Sequence, residues 1–182
     1  VSKSQVDYIG IAPNQAFSVG SSIIPFLEHD DAKRTLMGSN MQKQAMPCVV
    51  PMAPLVATGM ESRSAIDSGR LLIALEDGTV TAVDGREVHV KDAKGKTHEY
   101  ALTQFERTNQ NTTYHHRPIV SVGDKIKKGQ VLADGSGTAN GELALGQNVL
   151  VAFMTWSGAN YEDAIILSEK LVKNSIFTSI HI

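Results

Sequence analysis

The stretch from Arg70 to Tyr100 constrains the fold of this chain more than any other feature of its sequence. Within it, short alternations of apolar and polar residues are interrupted by turn dipeptides, namely Asp77-Gly78, Asp84-Gly85 and Lys94-Gly95. Glycine adopts the positive φ angles that tight hairpins need, and such a dipeptide between alternating runs is typical of antiparallel strands. The stretch therefore predicts an exposed meander of three or four strands with charged outward faces.

Two other stretches have the pattern of helices. Residues 28–46 begin with acidic residues, which complement the positive end of a helix dipole. Residues 160–173 begin with Asn160, a good N-cap, and Asp163 then occupies the third helical position, where its carboxylate comes close to completing a capping box. Residues 14–24 have the composition of a shorter helix.

The second half of the chain contains further strand signals. Two short strands are predicted around Gly123 and Gly129, an apolar strand in residues 146–156, and an alternating strand in residues 176–182. The segment VSVGDKIKKGQVLADG is similar to a hairpin of biotinyl and lipoyl carrier domains. A carrier needs a modifiable lysine in a tight turn, and the turn of residues 134–137 has none. A barrel-sandwich motif without a cofactor is therefore favoured, with a stand-alone binding or carrier module as the alternative.

Together these patterns predict an α+β fold rich in strands, with short helices, a hairpin meander and the strands of a partial barrel or barrel-sandwich. Three parts are expected. Residues 1–69 would be mainly helices and loops, residues 70–100 the meander, and residues 101–182 a barrel-like part that contains the helix of residues 160–173. Because the chain lacks an initiator methionine and ends in the alternating run FTSIHI, we expect an incomplete piece of a larger multi-domain protein.

Composition narrows the function classes. Hydrophobic residues make up 42% and charged residues 20%, as in soluble globular proteins. The single cysteine, Cys48, cannot form an internal disulfide, and no apolar run is long enough to span a membrane. The formal net charge of −2 gives no overall sign of nucleic-acid binding, so any such role requires a local concentration of positive charge.

Two charged clusters each admit a plain and a functional interpretation. The cluster EHDDAKR is the solvated start of a helix, or it presents Arg34 to a phosphate. Helical spacing places Arg34 beside an apolar stripe of Met37, Gly38, Met41 and Ala45, and an arginine supported on one side is well suited to grip phosphate oxygens. Glu162 and Asp163 are either helix-capping acids or oxygen ligands for a cation.

Several longer strings decide between these interpretations. They follow one another in the order IPFLEHDDAKRTLMGSNMQKQAMP, PLVATGME, RTNQNT, VLADG, GELALGQNVLVAFM and NYEDAIILSEKLVK. From about Asp7 to its last residue, the chain resembles the beta subunit of bacterial DNA-directed RNA polymerase, except in residues 70–100, where the family varies between lineages. The chain departs from the usual family residues at Thr155, Ser157 and Ala159, where proline, asparagine and tyrosine are typical.

The resemblance implies a part of the active-site wall of that enzyme, which synthesises RNA on a DNA template. It implies that Arg34 approaches the triphosphate of the incoming nucleotide, and that Glu162 and Asp163 lie near a second Mg²⁺ carried by this substrate. The residues of the wall near RNA and substrate would be Asn40, Met41 and Gln44. The aspartates that hold the primary Mg²⁺ belong to the other large subunit, so the chain alone should be inactive.

The resemblance also implies partners and a location. The partners would be the other large subunit, the alpha subunits, the DNA template, the RNA product and nucleoside triphosphates. The protein would act in the bacterial cytoplasm, at the nucleoid. The meander of residues 70–100 would be dispensable for the chemistry, because it varies between lineages and is interpreted as an exposed insertion.

Overall fold

Four small antiparallel sheets dominate the computed structural model, which describes residues 2–11 and 16–182. The largest has the order β4-β3-β2-β8, a second has the order β1-β9-β7, and two further sheets are the pairs β5-β6 and β10-β11. The strands are β1 Leu72–Ile73, β2 Gly78–Val83, β3 Glu87–Lys91, β4 Thr97–Ala101, β5 Glu106–Arg107, β6 Thr113–Tyr114, β7 Arg117–Pro118, β8 Lys125–Ile126, β9 Val131–Asp134, β10 Thr138–Ala139 and β11 Glu142–Leu143. The predicted α+β, strand-rich class is confirmed, and the described strands do not close into a barrel.

Four short α-helices accompany the sheets: α1 Val19–Ser22, α2 Ala32–Lys43, α3 Glu61–Asp67 and α4 Glu169–Lys173. The helix predicted over residues 28–46 is thus present as α2, and its N-cap is Asp31, whose carboxylate accepts a hydrogen bond from the Lys33 N–H at 3.1 Å. The helix predicted over residues 14–24 is reduced to α1, and residues 14 and 15 lie outside the described part. None of the described helices is long and apolar enough to cross a membrane.

The prediction of a helix over residues 160–173 is wrong for its first two thirds. Its last turn alone is helical, as α4, and Ser168 rather than Asn160 caps it by accepting the Lys170 N–H at 3.3 Å. Residues 157–160 and 162–163 form turns, residues 164–168 belong to no helix or strand, and Glu162 has a φ of 57°, in the left-handed region. A right-handed helix cannot pass through such a residue, so the favourable composition of the segment is overridden by its turns.

The strands predicted in residues 146–156 and 176–182 are also wrong, since none of these residues belongs to a described strand. A strand needs a neighbour for its backbone hydrogen bonds. These segments have isolated links instead, such as the hydrogen bond from the Val49 N–H to the Thr178 carbonyl at 2.8 Å. Their apolar side chains are largely exposed, Phe153 at 98%.

Two of the three predicted hairpin turns are confirmed. The Asp84-Gly85 turn joins β2 to β3, and the Asp84 carboxylate accepts the N–H groups of Arg86 and Glu87 at 2.6 and 2.8 Å. The Lys94-Gly95 turn joins β3 to β4, and Gly95 has a φ of 85°. By contrast, Asp77-Gly78 forms no hairpin, because the strand before it, β1, pairs with β9 rather than with β2.

The sequence suggested that the meander is an independent insertion, but in the structure it shares a sheet and a core with the segment that follows it. Its sheet includes β8, which pairs with β2, and its inner face contributes to a core shared with residues 118–134. Val88 and Leu132, one from each segment, are both completely buried. The members of this core are Ala74, Val80, Val88, Val90, Tyr100, Leu102, Val120, Ile126, Leu132 and Ala133. Packing therefore joins residues 70–100 to part of the segment that follows them.

Candidate functional site

Helix α2 has one packed face and one exposed face. The packed face meets α1, and Gly38 lies near Ile24, two residues beyond α1, where an added Cβ would be in ordinary contact at 3.7 Å from the Ile24 Cδ1. At the flank of this contact, a spacing of seven residues places Met41 beside Arg34, and spacings of three and four residues place Gln44, the C-cap, next to Met41 and Asn40. All four of these side chains are exposed.

The methionines of the apolar stripe predicted beside Arg34 are not packed. Met37 and Met41 are 38% and 63% exposed. The Arg34 guanidinium donates a long hydrogen bond of 3.9 Å to the Met37 sulfur. Within residues 2–11 and 16–182, Arg34 forms no ion pair, so its planar group of donors faces outward and is available to an anion.

Glu162 and Asp163 lie in a loop built from consecutive turns. The loop is held from within by Asn160, whose side chain accepts the Trp156 N–H at 2.8 Å and donates to the Met154 carbonyl at 2.6 Å. Both carboxylates are exposed. Because α4 begins only at Glu169, neither acid occupies the first turn of a helix. The capping interpretation of this acidic pair is therefore wrong.

The two acids suit a hydrated cation better than a closed metal centre. Among the described residues, no three histidine, cysteine, aspartate or glutamate side chains come together as a metal site. Mg²⁺ takes oxygen ligands, keeps several of its waters and is often held by one or two carboxylates together with substrate phosphates. A pair of adjacent, exposed carboxylates fits that second kind of site.

A pair of side-chain amides, which was not predicted from the sequence, links the segment after α2 to the segment before the acidic loop. Asn148 accepts the Leu55 N–H at 3.3 Å and donates to the Ala53 carbonyl at 2.8 Å. Gln147 donates to the Val50 carbonyl at 2.6 Å. These bonds tie the segment that follows α2 to the segment that leads into the acidic loop. The available signal was the polar pair Gln147-Asn148 directly before an apolar run.

The chain by itself does not close the predicted site. In the described part of the chain, no hydrogen bond or ion pair joins α2 to residues 160–163, whose hydrogen bonds are local. The sequence placed Arg34 and the two acids near one substrate, and that arrangement stays a prediction.

A groove of about 320 Å³ lies between the segment after α2 and the sheet region. On one wall Phe105 stacks on His115, with ring centroids 4.2 Å apart and planes 16° apart. Burial, and then the charge of Arg117, lowers the pKa of His115. The other lining residues are Pro47, Cys48, Val49, Val50, Pro51, Thr113, Gly135, Ser136 and Ile180.

The neighbouring His116 makes stability depend on pH. Its Nδ1 accepts the Thr103 N–H at 3.0 Å, which requires an unprotonated Nδ1. Burial lowers the pKa of His116 below 6.5, and a hydrogen bond with the Arg70 backbone opposes this less strongly. Between the folded and unfolded pKa values the unfolded chain binds more protons. Stability is therefore full above the unfolded pKa and is lost as the pH falls through this window.

We expect the melting temperature to decrease as the pH is lowered from 7.5 to 5.5. The His116→Asn variant should show a smaller decrease. Asparagine supplies an acceptor that does not titrate. The control is His29→Asn, because His29 is exposed. Thermal unfolding at several pH values checks this, and equal pH dependence of the His116 and His29 variants would contradict it.

Comparison with known proteins adds the identity of the family. Residues 73–182 match the family described as RNA polymerase Rpb2, domain 6. The chain belongs to this RNA polymerase family. The match includes the meander, the shared core and the acidic loop, so these form part of a common family domain.

Relatives extend the likeness over the whole chain. It is 54% identical over 181 residues to the DNA-directed RNA polymerase subunit beta of Gloeobacter violaceus, 56% over 180 residues to that of Phytoplasma australiense, and 55% over 182 residues to that of Corynebacterium efficiens. These alignments cover 99–100% of the chain but only 14–16% of the relatives. The resemblance to the RNA polymerase beta subunit is confirmed, and a biotinyl or lipoyl carrier is not supported.

Proposed function

We propose that this chain forms part of the active-site wall in a bacterial DNA-directed RNA polymerase, where it contacts the incoming nucleotide and the RNA–DNA hybrid. The observation that carries the proposal is the exposed face of α2. Arg34, Asn40 and Gln44 are exposed along that face, and within the described residues Arg34 forms no ion pair; elsewhere on its surface the helix packs on α1. Exposed donors on a fixed helix suit a phosphate-bearing ligand.

Arg34 would act on the triphosphate. Nucleotidyl transfer develops negative charge on phosphate oxygens as pyrophosphate leaves, and a well-placed guanidinium stabilises that charge. Asn40, Met41 and Gln44 would line the wall beside RNA and substrate. Their neutral, exposed side chains offer hydrogen bonds and apolar contact to bases and sugars.

Glu162 and Asp163 would orient the Mg²⁺ that accompanies the nucleotide, directly or through water. This ion neutralises phosphate charge when bound. The carboxylates of this chain would hold its hydration shell in place, which agrees with their exposure in a loop fixed by Asn160.

The remaining partners follow from the family. The other large subunit, the alpha subunits, the DNA template and the RNA product would complete the site, in the bacterial cytoplasm at the nucleoid. The chain alone should not incorporate nucleotides, because the aspartates for the primary Mg²⁺ would come from the other large subunit.

Arg34→Ala in the assembled polymerase should raise the apparent KM for nucleotides and slow their addition. Loss of one charge-assisted contact costs about 1.5–3 kcal/mol, which is on the order of 10- to 150-fold in kcat/KM. Assembly should be unaffected, since Arg34 is exposed. Single-nucleotide addition measured over a range of nucleotide concentrations gives the result.

Two variants sharpen this test. Arg34→Lys keeps the charge but lacks the planar pair of donors, and should recover only part of the rate. Lys170→Ala removes an exposed positive charge from α4, which contributes no residue to the proposed wall, and should behave like the parent. If Arg34→Ala assembles poorly while its assembled fraction adds nucleotides at the parental rate, Arg34 is structural and the proposed role is wrong.

A further inference from the structure

Six lysines gather at one end of the four-stranded sheet. Lys91, Lys94 and Lys96 come from the end of β3 and the turn that follows it, and Lys125, Lys127 and Lys128 come from β8 and the turn after it. These six residues are called the lysine edge below. The two groups are far apart in sequence, and the β2-β3 and β2-β8 pairings bring them together.

The strand register fixes the centre of this edge. Thr79 of β2 pairs with Lys91 on one side and with Lys125 on the other, and Lys91 pairs in turn with Thr97 of β4. Directly opposite residues share a face of the sheet, so the four form one row. All four are exposed, whereas the two flanking rows, with Val80 and Val90 on one side and Ile126 on the other, face the core.

The lysine edge carries six ammonium groups against the three carboxylates of Asp77, Asp92 and Asp124 in the same segments, which leaves positive charge in excess. In residues 2–11 and 16–182, none of the six lysines forms an ion pair. The nearby acids use carboxylate oxygens to accept backbone N–H groups. Asp92 accepts from Lys94 and Lys96 at 2.8 and 2.9 Å, Asp77 from Lys128 at 2.6 Å, and Asp124 from Ser121 at 2.7 Å.

We propose that the lysine edge binds the phosphodiester backbone of a nucleic acid. Strands lie about 4.8 Å apart, so Lys91 and Lys125 stand about 9.6 Å apart on either side of a threonine hydroxyl. With their long, flexible side chains, two such lysines can contact separate phosphates of one backbone, and the hydroxyl offers a hydrogen bond between them.

The chemistry of the edge favours backbone contact without base reading. Residues 77–79, 91–97 and 124–128 contain no arginine and no aromatic side chain. Forked donors for a carboxylate or a base edge, and rings on which bases stack, are therefore missing from these segments, while point charges for phosphate are plentiful. This surface shares no residue with α2 or the acidic loop. It also supplies the local positive charge that the overall net charge of −2 conceals.

The test compares two double variants in the assembled polymerase. Lys91→Gln/Lys125→Gln removes the centre of the edge. Lys170→Gln/Lys173→Gln removes the same charge from α4, where both lysines are exposed. Apparent Kd values are measured between 50 and 200 mM salt for a promoterless duplex and, separately, for a single strand. The logarithm of the binding constant for duplex DNA falls with the logarithm of salt by about 0.9 per contacted phosphate, and for single strands by about 0.7.

For the edge variant, we expect the salt dependence on duplex DNA to be less steep by about 1.8. If a single strand is the ligand, the salt dependence on that strand should be less steep by about 1.4. On duplex DNA, the edge variant would then lose about tenfold less affinity than the parent across this salt range. Lys91→Arg/Lys125→Arg should keep the parental slope, as should the α4 variant. A slope that stays parental for both ligands in the edge variant would overturn the proposal.

A second measurement does not depend on the double variant folding. A photoreactive residue at Lys94 should crosslink to nucleic acid in the elongating polymerase. The same residue at Arg86, in the hairpin turn at the opposite end of the same sheet, should not. Equal crosslinking at both turns, or none at Lys94, would show that the edge does not contact nucleic acid. Because neither position lies on α2 or in the acidic loop, failure here leaves the proposed role of Arg34 untouched.

Discussion

Replacing residues 78–101 with a short Gly-Ser link should unfold the core that this segment shares with residues 118–134. The replacement removes four buried side chains, those of Val80, Val88, Val90 and Tyr100, and deprives β8 of its partner strand. Leu132 and Ile126, now buried, would then face water. We expect the cooperative unfolding transition of the chain to disappear. In the whole polymerase we expect a loss of assembled enzyme, contrary to the dispensability that the sequence suggested.

Single substitutions give the same test on a finer scale. Leu132→Ala should lower the free energy of unfolding by about 2–5 kcal/mol, as for other large-to-small changes in packed cores. Glu99→Ala, on the exposed face of β4, should change it by about 0.5 kcal/mol or less. Urea unfolding of the chain measures both variants. Retention of the parental midpoint by the Gly-Ser variant would show that residues 118–134 fold without the meander.

The sequence predicted those elements whose cause is local. The Asp84-Gly85 turn is stabilised by the Asp84 side chain, the Lys94-Gly95 turn by the Asp92 side chain and the positive φ of Gly95, and both hairpins are present. Helix α2 likewise follows from Asp31 at its start. In each case the residues that determine the conformation are neighbours in the sequence.

Elements that depend on distant partners were predicted poorly. The pairings of β1 with β9 and of β2 with β8 join segments about 60 and about 50 residues apart, and no turn dipeptide indicates them. The same holds for residues 146–156, whose apolar run predicted a strand but which pair with no described strand. For residues 160–167, an apolar pattern compatible with a helix was overridden by consecutive turns, including the positive φ of Glu162.

In the candidate site, too, features with a local cause were predicted and features that depend on distant contacts were not. Arg34 and its neighbours on α2 follow from helical spacing, but which face of α2 is packed depends on Gly38 meeting Ile24, a contact between two segments. The bonds from Gln147 and Asn148 to the loop of residues 50–55 were missed, since they span more than 90 residues. Whether Arg34 and the acidic loop meet one substrate also depends on contacts beyond each segment.

Neutralising Glu162 and Asp163 should have the largest effect on the chemistry of the assembled polymerase. A capping role would make Asp163→Asn mild, but this acid caps no helix, since α4 begins at Glu169. If Asp163 orients the Mg²⁺ that arrives with the nucleotide, Asp163→Asn removes charge that faces the ion. Loss of an outer partner of a metal site typically costs about 10- to 100-fold in activity or affinity. We therefore expect slower nucleotide addition, partly restored by additional Mg²⁺.

The backbone conformation of Glu162 determines which substitution is suitable at this position. Glu162 is best replaced by asparagine, which tolerates its left-handed conformation and is neutral. Glu162→Asn/Asp163→Asn should be slower than either single variant and should also slow pyrophosphorolysis, because the reverse reaction needs the same ion. Glu169→Gln is the matched control, since it removes one exposed carboxylate from the first turn of α4. Its Mg²⁺ dependence should overlay that of the parent. If the curve for Asp163→Asn overlays the parent as well, the acidic loop does not contribute to the placement of the ion.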